Sequence, residues 1–407
     1  MKQPEADETR RVKPRRVLII VENLPLPFDR RVWQEANTLK DDGYQVSIIC
    51  PVGKGYEARF ETIDGIDIHR HTLPLEAHGA SGYLLEYGAA LFHEMRLALK
   101  IAFGKGFDVI HACNPPDLIF LVAAPFKWFG GKRFLFDHHD INPELYEAKF
   151  NGRRDFFYRL MLFCERRTFR AAKVVISTNE SYKRIAIERG GKDPDDVFVV
   201  RSGPSLARIR ILPPDPAAKK GRDFLIGYVG VIGQQEGIQY LIEAMHIIVN
   251  EQGRQDVQCA IVGGGSAVAE MQALAASKGL ADHIDFYGRV PDAELLRVLN
   301  TADVCVNPDE YNAMNDKSTM NKIVEYMALG KPIVQFDLTE GKVSAGEASL
   351  YARPNDARDM ADCITRLLAD PEARARMGAH GRARVVDTLE WKHQEPILLA
   401  AYDRLFA

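Results

Sequence analysis

The chain has 407 residues, 46% of them apolar and 27% charged, with a net charge of −3 at pH 7. That length fits two domains of about 200 residues, each able to bury its own core, and the balance excludes a disordered or fibrous protein. The near-neutral total removes any general attraction to nucleic acid.

Arg10, Arg11, Lys13, Arg15 and Arg16 precede the first apolar run. Such a stretch reads as a solvated tail that can add attraction to an anionic bilayer. From residue 17 to about 368, short β-rich apolar runs alternate with helical periodicity, the pattern of doubly wound parallel α/β sheets. Strands are expected at 17–21, 46–50, 67–70, 109–112, 133–137, 173–177 and 197–200, then at 225–229, 258–262, 284–287, 304–306, 332–336 and 349–352. Between the halves, 204–222 combines Pro204, Pro213, Pro214 and Pro216 with Lys219, Lys220 and Arg222, the composition of an exposed linker. This divides the chain into 1–203, a linker 204–222, and 223–388. The segment 389–407 carries Trp391, Ile397, Leu398, Tyr402 and Leu405 at helical spacing, so it should dock an apolar stripe, with Pro396 kinking or starting its helix.

Six cysteines sit singly, without a CxxC pair, and read as buried thiols of a reducing compartment. No signal peptide is recognisable, and the longest apolar stretch, 118–129, is too short to span a bilayer and contains Lys127. A cytoplasmic protein is expected. No Asp-x-Asp pair at a strand end and no clustered His/Cys spacing calls for a metal.

The run from Gly227 to Gly237, with Gly230 and Gly233, follows a strand and opens a helix, where a phosphate-cradling loop belongs. The next strand ends in Gly263, Gly264 and Gly265 and offers no acidic residue for an adenosine ribose, which weakens a dinucleotide reading. In 315–334, Ser318 or Thr319 can cap a helix whose first-turn N–H groups point into a cleft, and Lys317 and Lys322 add positive charge suited to a diphosphate. Glu325, about two turns on, can accept hydrogen bonds from both hydroxyls of a ribose; the plain alternative is a solvent-facing Glu on an amphipathic helix with a Gly330 C-cap.

His138, His139 and Asp140 follow a strand, where an imidazole can meet a sugar or remain a loop histidine bonded to backbone. Asp29, Arg30 and Arg31 lie after the first strand, the usual place for ligand contacts in an open sheet, although Asp29 also suits a helix N-terminus. Glu144 and Asp117 are weaker acceptor candidates. Residues 149–170 mix Phe156, Phe157 and Phe163 with Arg159, Arg166 and Arg167; that composition fits a membrane-surface helix and equally a core helix with snorkelling arginines.

Taken together, 28–36, Asp137 to Asp140, Arg201 to Gly203, Gly230 to Gly237, Gly263 to Gly265, Phe286 to Gly288 and 322–332 resemble the nucleotide-sugar glycosyltransferases of GT-B fold, in particular the retaining family 4. The resemblance spans nearly the whole chain. It implies a donor domain in 223–388, an acceptor domain in 1–203 completed by the helix of 389–407, and transfer from a UDP- or GDP-sugar to a glycan or lipid-linked acceptor of the cell surface, without metal or other cofactor. It further implies a cytoplasmic location with peripheral contact at the inner face of the membrane. Glu325 falls on the family's ribose carboxylate, with Lys322, Ser318, Thr319, Gly230, Gly233, Gly264, Gly265 and Gly288 around the donor. His139 falls on its histidine, and Asp29, Arg30, Arg31 and Asp140 face the acceptor.

Three positions depart from the family. Lys317 stands eight before Glu325, where a Glu is usual, and Val231 and Glu236 replace the Arg and Lys that ease departure of the diphosphate. Asp316 is one position off and is the candidate substitute acceptor, while Arg201, Lys317 and Lys322 are the candidate cations. These departures keep open a catalytically impaired nucleotide-sugar-binding protein, and the shared fold keeps open a nucleotide-sugar 2-epimerase.

Overall fold

The computed structural model describes residues 14–72, 79–150 and 152–407, and all their side chains except those of 79–86. Arg10, Arg11 and Lys13 of the basic tail lie outside the described residues.

Eight strands form the first sheet: β1 (Arg16–Ile20), β2 (Gln45–Pro51), β3 (Phe60–Ile63), β4 (Ile66–His71), β5 (Val109–Cys113), β6 (Arg133–His138), β7 (Val174–Ser177) and β8 (Val197–Val199). Their order is β3-β4-β2-β1-β5-β6-β7-β8, parallel throughout except for β3 against β4. The central strands are covered on both faces, which explains their unbroken apolar runs. β3 lies outside the expected strands. It is a partly exposed edge strand joined to β4 by Asp64 (φ +50°) and Gly65 (φ +83°), the left-handed pair of a tight hairpin turn.

One face packs on the helices Arg30–Asp41 and Glu395–Phe406, the other on Gly79–Phe103, Phe120–Gly130 and Phe156–Ala171. The last helix buries Leu398, Ala401, Tyr402 and Leu405 among Val17, Ile19 and Val109. Burying a leucine stabilises by about 1.5–3 kcal/mol, so this helix is part of the first core. Pro396 lies in its first turn, where a missing N–H costs nothing.

The second sheet contains β9 (Phe224–Val229), β10 (Val257–Val262), β11 (Ile284–Gly288), β12 (Val304–Asn307), β13 (Ile333–Phe336) and β14 (Ser349–Ala352). Its order is β11-β10-β9-β12-β13-β14 and every neighbouring pair is parallel. The order reverses at β9, so a crevice opens beyond the carboxyl ends of β9, β10 and β12.

The segment 204–222 corrects one expectation. Rather than lying free, it buries Ile209 and Ala218 against the second sheet's core, and Asp215 pairs with Arg297 at 2.7 Å and donates its N–H to Thr301 Oγ1 at 2.9 Å. Proline fixes backbone for a packed strap as readily as for a free linker, so composition could not separate the two.

Candidate active site

The loops after β9, β10 and β11 interlock through backbone. Gly230 N donates to Val262 O at 3.0 Å, Ile232 N to Gly264 O at 3.1 Å, and Gly263 N to Gly288 O at 2.9 Å. A Cβ on Gly263, at φ +141°, would stand 1.8 Å from Gly230 O, and one on Gly265 would stand 2.2 Å from Ile232 O. Only glycine allows this approach. Gly233 adjoins Glu236, whose Oε2 would lie 2.6 Å from an added Cβ.

The helix Asn321–Ala328 starts beside these loops. Lys322 Nζ donates to both Asp309 oxygens at 2.8 Å and lies 5.3 Å from the Tyr228 ring centroid. Its stem covers Gly230, where a Cβ would be 3.2 Å from Lys322 Cε. A cation, a glycine turn and the N–H groups of a helix start thus converge, the elements of an anion site. Asp309 is only 1% exposed and offsets part of that charge. Burial pushes the Glu236 carboxyl above its usual range, with nearby Lys322 opposing, and Val231 is 55% exposed.

Ser318 and Thr319 do not cap this helix. The capping position is Met320, with no side-chain bond. A single 3₁₀ turn over Asn315–Lys317 turns both hydroxyls toward the first sheet's side. Ser318 Oγ donates to Met314 O at 2.8 Å and lies 2.9 Å from the Tyr182 hydroxyl, while Thr319 Oγ1 accepts Asn179 Nδ2 at 3.0 Å. Asp316 is likewise drawn away from the group expected around it. Its two oxygens accept the N–H and the hydroxyl of Thr339 at 2.8 and 3.1 Å.

Glu325 Oε1 accepts from Arg30 Nη1 at 3.4 Å and from Arg208 Nη2. Asp292 Oδ1 accepts from the other ends of the same guanidiniums, at 2.9 and 3.2 Å. Two arginines, one from each side of the cleft, therefore hold two carboxylates of the second sheet's helices. Lys317 Nζ crosses the cleft too, to Glu144 Oε1 at 3.5 Å, although Glu144 is already held by Arg189 at 2.7 and 3.2 Å.

On the opposing edge, the ends of β5 and β6 place His139 and Asp140 beside Asn114. Asn114 Oδ1 accepts both their N–H groups at 2.7 and 3.1 Å, and its Nδ2 donates to Asp140 O at 2.6 Å. His139 Nε2 meets Asp137 Oδ2 and lies 2.8 Å from Arg31 Nε. His138 belongs to the core: it packs against Phe169 and Tyr182, and burial lowers it to about 3. Arg31 is also buried, contrary to its expected acceptor role. It donates to Asp137 Oδ1 at 2.9 Å, Val200 O at 2.7 Å and Ser202 Oγ at 3.3 Å, and pairs with Glu35 at 3.1 Å. Arg30, half exposed, is the arginine that reaches the cleft. Asp29 is the N-cap of the helix Arg30–Asp41, accepting Val32 N at 3.2 Å. Arg201 is tied through its N–H to Gln394 Oε1 at 3.0 Å.

Beneath His139, among the described residues, His111, Cys113 and Asp137, and Glu35, Asp137 and His139, cluster in sets whose atom types suit a metal. Arg31 already supplies positive charge there. Its guanidinium draws Asp137 well below the usual carboxylate range, while burial and that neighbouring carboxylate push Glu35 up. Arg208, Asp292, Asp309, Asn114, Glu35 and Asp137 were missed as site residues by motif reasoning. Of these, Glu35 and Asp137 lie within the motifs 28–36 and 137–140.

The Glycosyltransferase Family 4 profile matches residues 29–208, and the profile described as Glycosyl transferases group 1 matches residues 223–370. The 2-deoxystreptamine glucosyltransferase of Streptomyces kanamyceticus is 27% identical over 247 residues, 58% of this chain and 61% of that protein. The match therefore spans less than two thirds of that relative's length. Sucrose-phosphate synthase from Thermosynechococcus elongatus has a TM-score of 0.80 at 20% identity, covering 96% of this chain and 99% of that one. Anabaena HepE, solved with UDP-glucose, has a TM-score of 0.71 at 15% identity, covering 95% and 99%.

Proposed function

The chain belongs to the GT-B glycosyltransferases of the family 4 type, and from that premise we propose that it moves a sugar from a UDP- or GDP-sugar to a lipid-linked or glycan acceptor with retention of configuration. The observation that carries this reading is the convergence of Lys322, the Gly230 loop and Glu325 at one crevice, opposite Arg30 and His139. UDP-glucose bound to HepE, a protein of the same fold, favours a uridine donor.

Glu325 accepts the ribose hydroxyls, exchanging them for its arginine bonds. Lys322 and the loop amides hold the diphosphate, and Lys317 and Arg201 supply the remaining charge. As the bond between the anomeric carbon and the phosphate oxygen breaks, the acceptor hydroxyl attacks from the same face and its proton passes to the departing phosphate. His139, fixed by Asn114, Asp137 and Arg31, orients the donor sugar, and Asp140 with Asp29 and Arg30 faces the acceptor. The test is incubation of the full chain with radiolabelled UDP-glucose and GDP-mannose plus membrane lipid extract. A labelled glycolipid or glycan is expected, and the absence of both transfer and slow donor hydrolysis overturns the reading.

A second reading, donor binding without turnover, is favoured by Val231 and the half-buried Glu236 at positions where the resemblance assigns cations. Calorimetric donor binding with no product under the same conditions would select it.

A further inference from the structure

The helices Asn142–Lys149 and Phe156–Ala171 enclose, with the turn after β5, an apolar cavity of about 140 Å³. Leu118, Leu145, Phe150, Phe157, Leu160 and Met161 form most of its wall. Pockets with a predominantly apolar lining of this kind take up apolar ligand groups. It is open to the surface, since Phe157 and Leu160 are exposed at its rim.

Three observations say what enters it. The first is its position. Asp117 and Asn142 line the cavity and bond to each other at 2.9 Å, and Asn114, which holds the N–H groups of His139 and Asp140, donates to Asp117 at 2.9 Å. The cavity thus lies one hydrogen bond behind the cleft edge. The second is the surface around it. Phe156 (71%) and Phe163 (50%) are exposed on the helix whose Phe157 and Leu160 form the rim, while Phe103, Trp128 and Phe129 stand at the far ends of the neighbouring helices of the same layer. Large apolar side chains gathered on one helical layer mark a contact surface. The third is charge. Lys149 at the cavity, then Arg153, Arg159, Arg166 and Arg170, are all exposed on the same helical hairpin, and aromatic side chains interleaved with arginine suit an anionic lipid surface.

We infer that this face seats on an anionic bilayer and that the cavity takes the hydrocarbon chain of a phosphate-bearing lipid acceptor, whose polar end then reaches the cleft beside His139 and Asp140. The inference rests on the glycosyltransferase reading for the chemistry at that polar end. The chain site itself rests on the cavity and its surroundings.

The experiment is calorimetric titration of the full chain with dodecyl phosphate below its micellar concentration, with inorganic phosphate and with UDP-glucose as separate arms. Dodecyl phosphate is expected to bind at one per chain and at least tenfold tighter than inorganic phosphate. Leu160→Glu, at an exposed rim position, should weaken it tenfold or more, and Lys149→Glu by severalfold, with melting temperatures close to that of the parent. Equal binding of the two phosphates, or dodecyl phosphate binding indifferent to both substitutions, overturns the inference. So does a self-association abolished by these substitutions without any alkyl binding, which would give the face to a second copy. Loss of the UDP-glucose arm alone counts against the transferase reading and leaves the chain site standing; loss of the dodecyl phosphate arm alone does the reverse.

Discussion

Arg30 and Glu325 meet across the cleft at 3.4 Å although 295 positions separate them in the chain. Arg30 is 51% exposed in this pair, and such ion pairs contribute about 0–1 kcal/mol. A ligand hydroxyl can therefore take its place at little cost. Glu325→Gln removes the charge that makes those hydroxyl bonds strong, at about 1.5–3 kcal/mol. Calorimetry should then show UDP-glucose binding weakened roughly tenfold to a hundredfold in a protein that melts normally. Unaltered affinity would remove Glu325 from the donor site.

Lys322 and Asp309 are nearly shut off from solvent. Breaking a buried ion pair from one side costs about 3–5 kcal/mol, because the remaining charge is left unpaired. Lys322→Met should show that loss in urea unfolding, and adding Asp309→Asn should recover most of it. Donor binding should stay impaired in the double variant, separating the structural from the ligand-binding part of the lysine. Full recovery of donor binding would show that Lys322 serves only to pair Asp309.

Val231 is exposed in the loop after Gly230, at the position where the resemblance assigns an arginine. A cation aimed at a leaving diphosphate lowers the barrier if it is held in place. Val231→Arg is expected to raise turnover about tenfold at saturating donor, without large change in KM. A drop in turnover would mean that this loop carries charge differently from its relatives.

Glu94 lies buried in the helix Gly79–Phe103, neither oxygen having a hydrogen-bond partner among the described residues. Burial, with the Glu22 carboxylate adding, raises it from 4.5 to about 8. The folded chain therefore binds this proton more tightly than the unfolded chain, and stability falls as pH rises from 4.5 to about 8. The loss from this group is at most about 5 kcal/mol. Urea unfolding at pH 4.5 and pH 8.5 should show Glu94→Gln losing less stability than the parent over that interval. Equal losses would exclude Glu94 as the source.

The strands of both sheets were legible because parallel strands buried on two faces read as near-continuous apolar runs, as in Val17 to Ile20 and Cys259 to Val262. β3 was not, since an edge strand alternates and its charged Glu61 weakens the run; the Asp64-Gly65 pair was the available signal. The distinction between His138 and His139 follows from alternation at a strand end, which sends neighbouring side chains to opposite sides. Only the glycosyltransferase resemblance favoured the second of them. Arg208 was illegible because its partner Glu325 is 117 positions away, and a proline-rich strap gives no period from which such a contact could be read. Ser318 and Thr319 misled because a single 3₁₀ turn before the helix rotates them away, a local detail that capping preference does not contain.

The helix Glu395–Phe406 follows every strand of the second sheet yet completes the core of the first, and its Tyr402 hydroxyl bonds His111 Nδ1 at 2.9 Å. During synthesis, residues 16–199 emerge with a groove that stays open while the whole second sheet is being made. The half begun first is the half finished last, so a nascent chain stalled before residue 395 would expose the face formed by Val17, Ile19 and Val109.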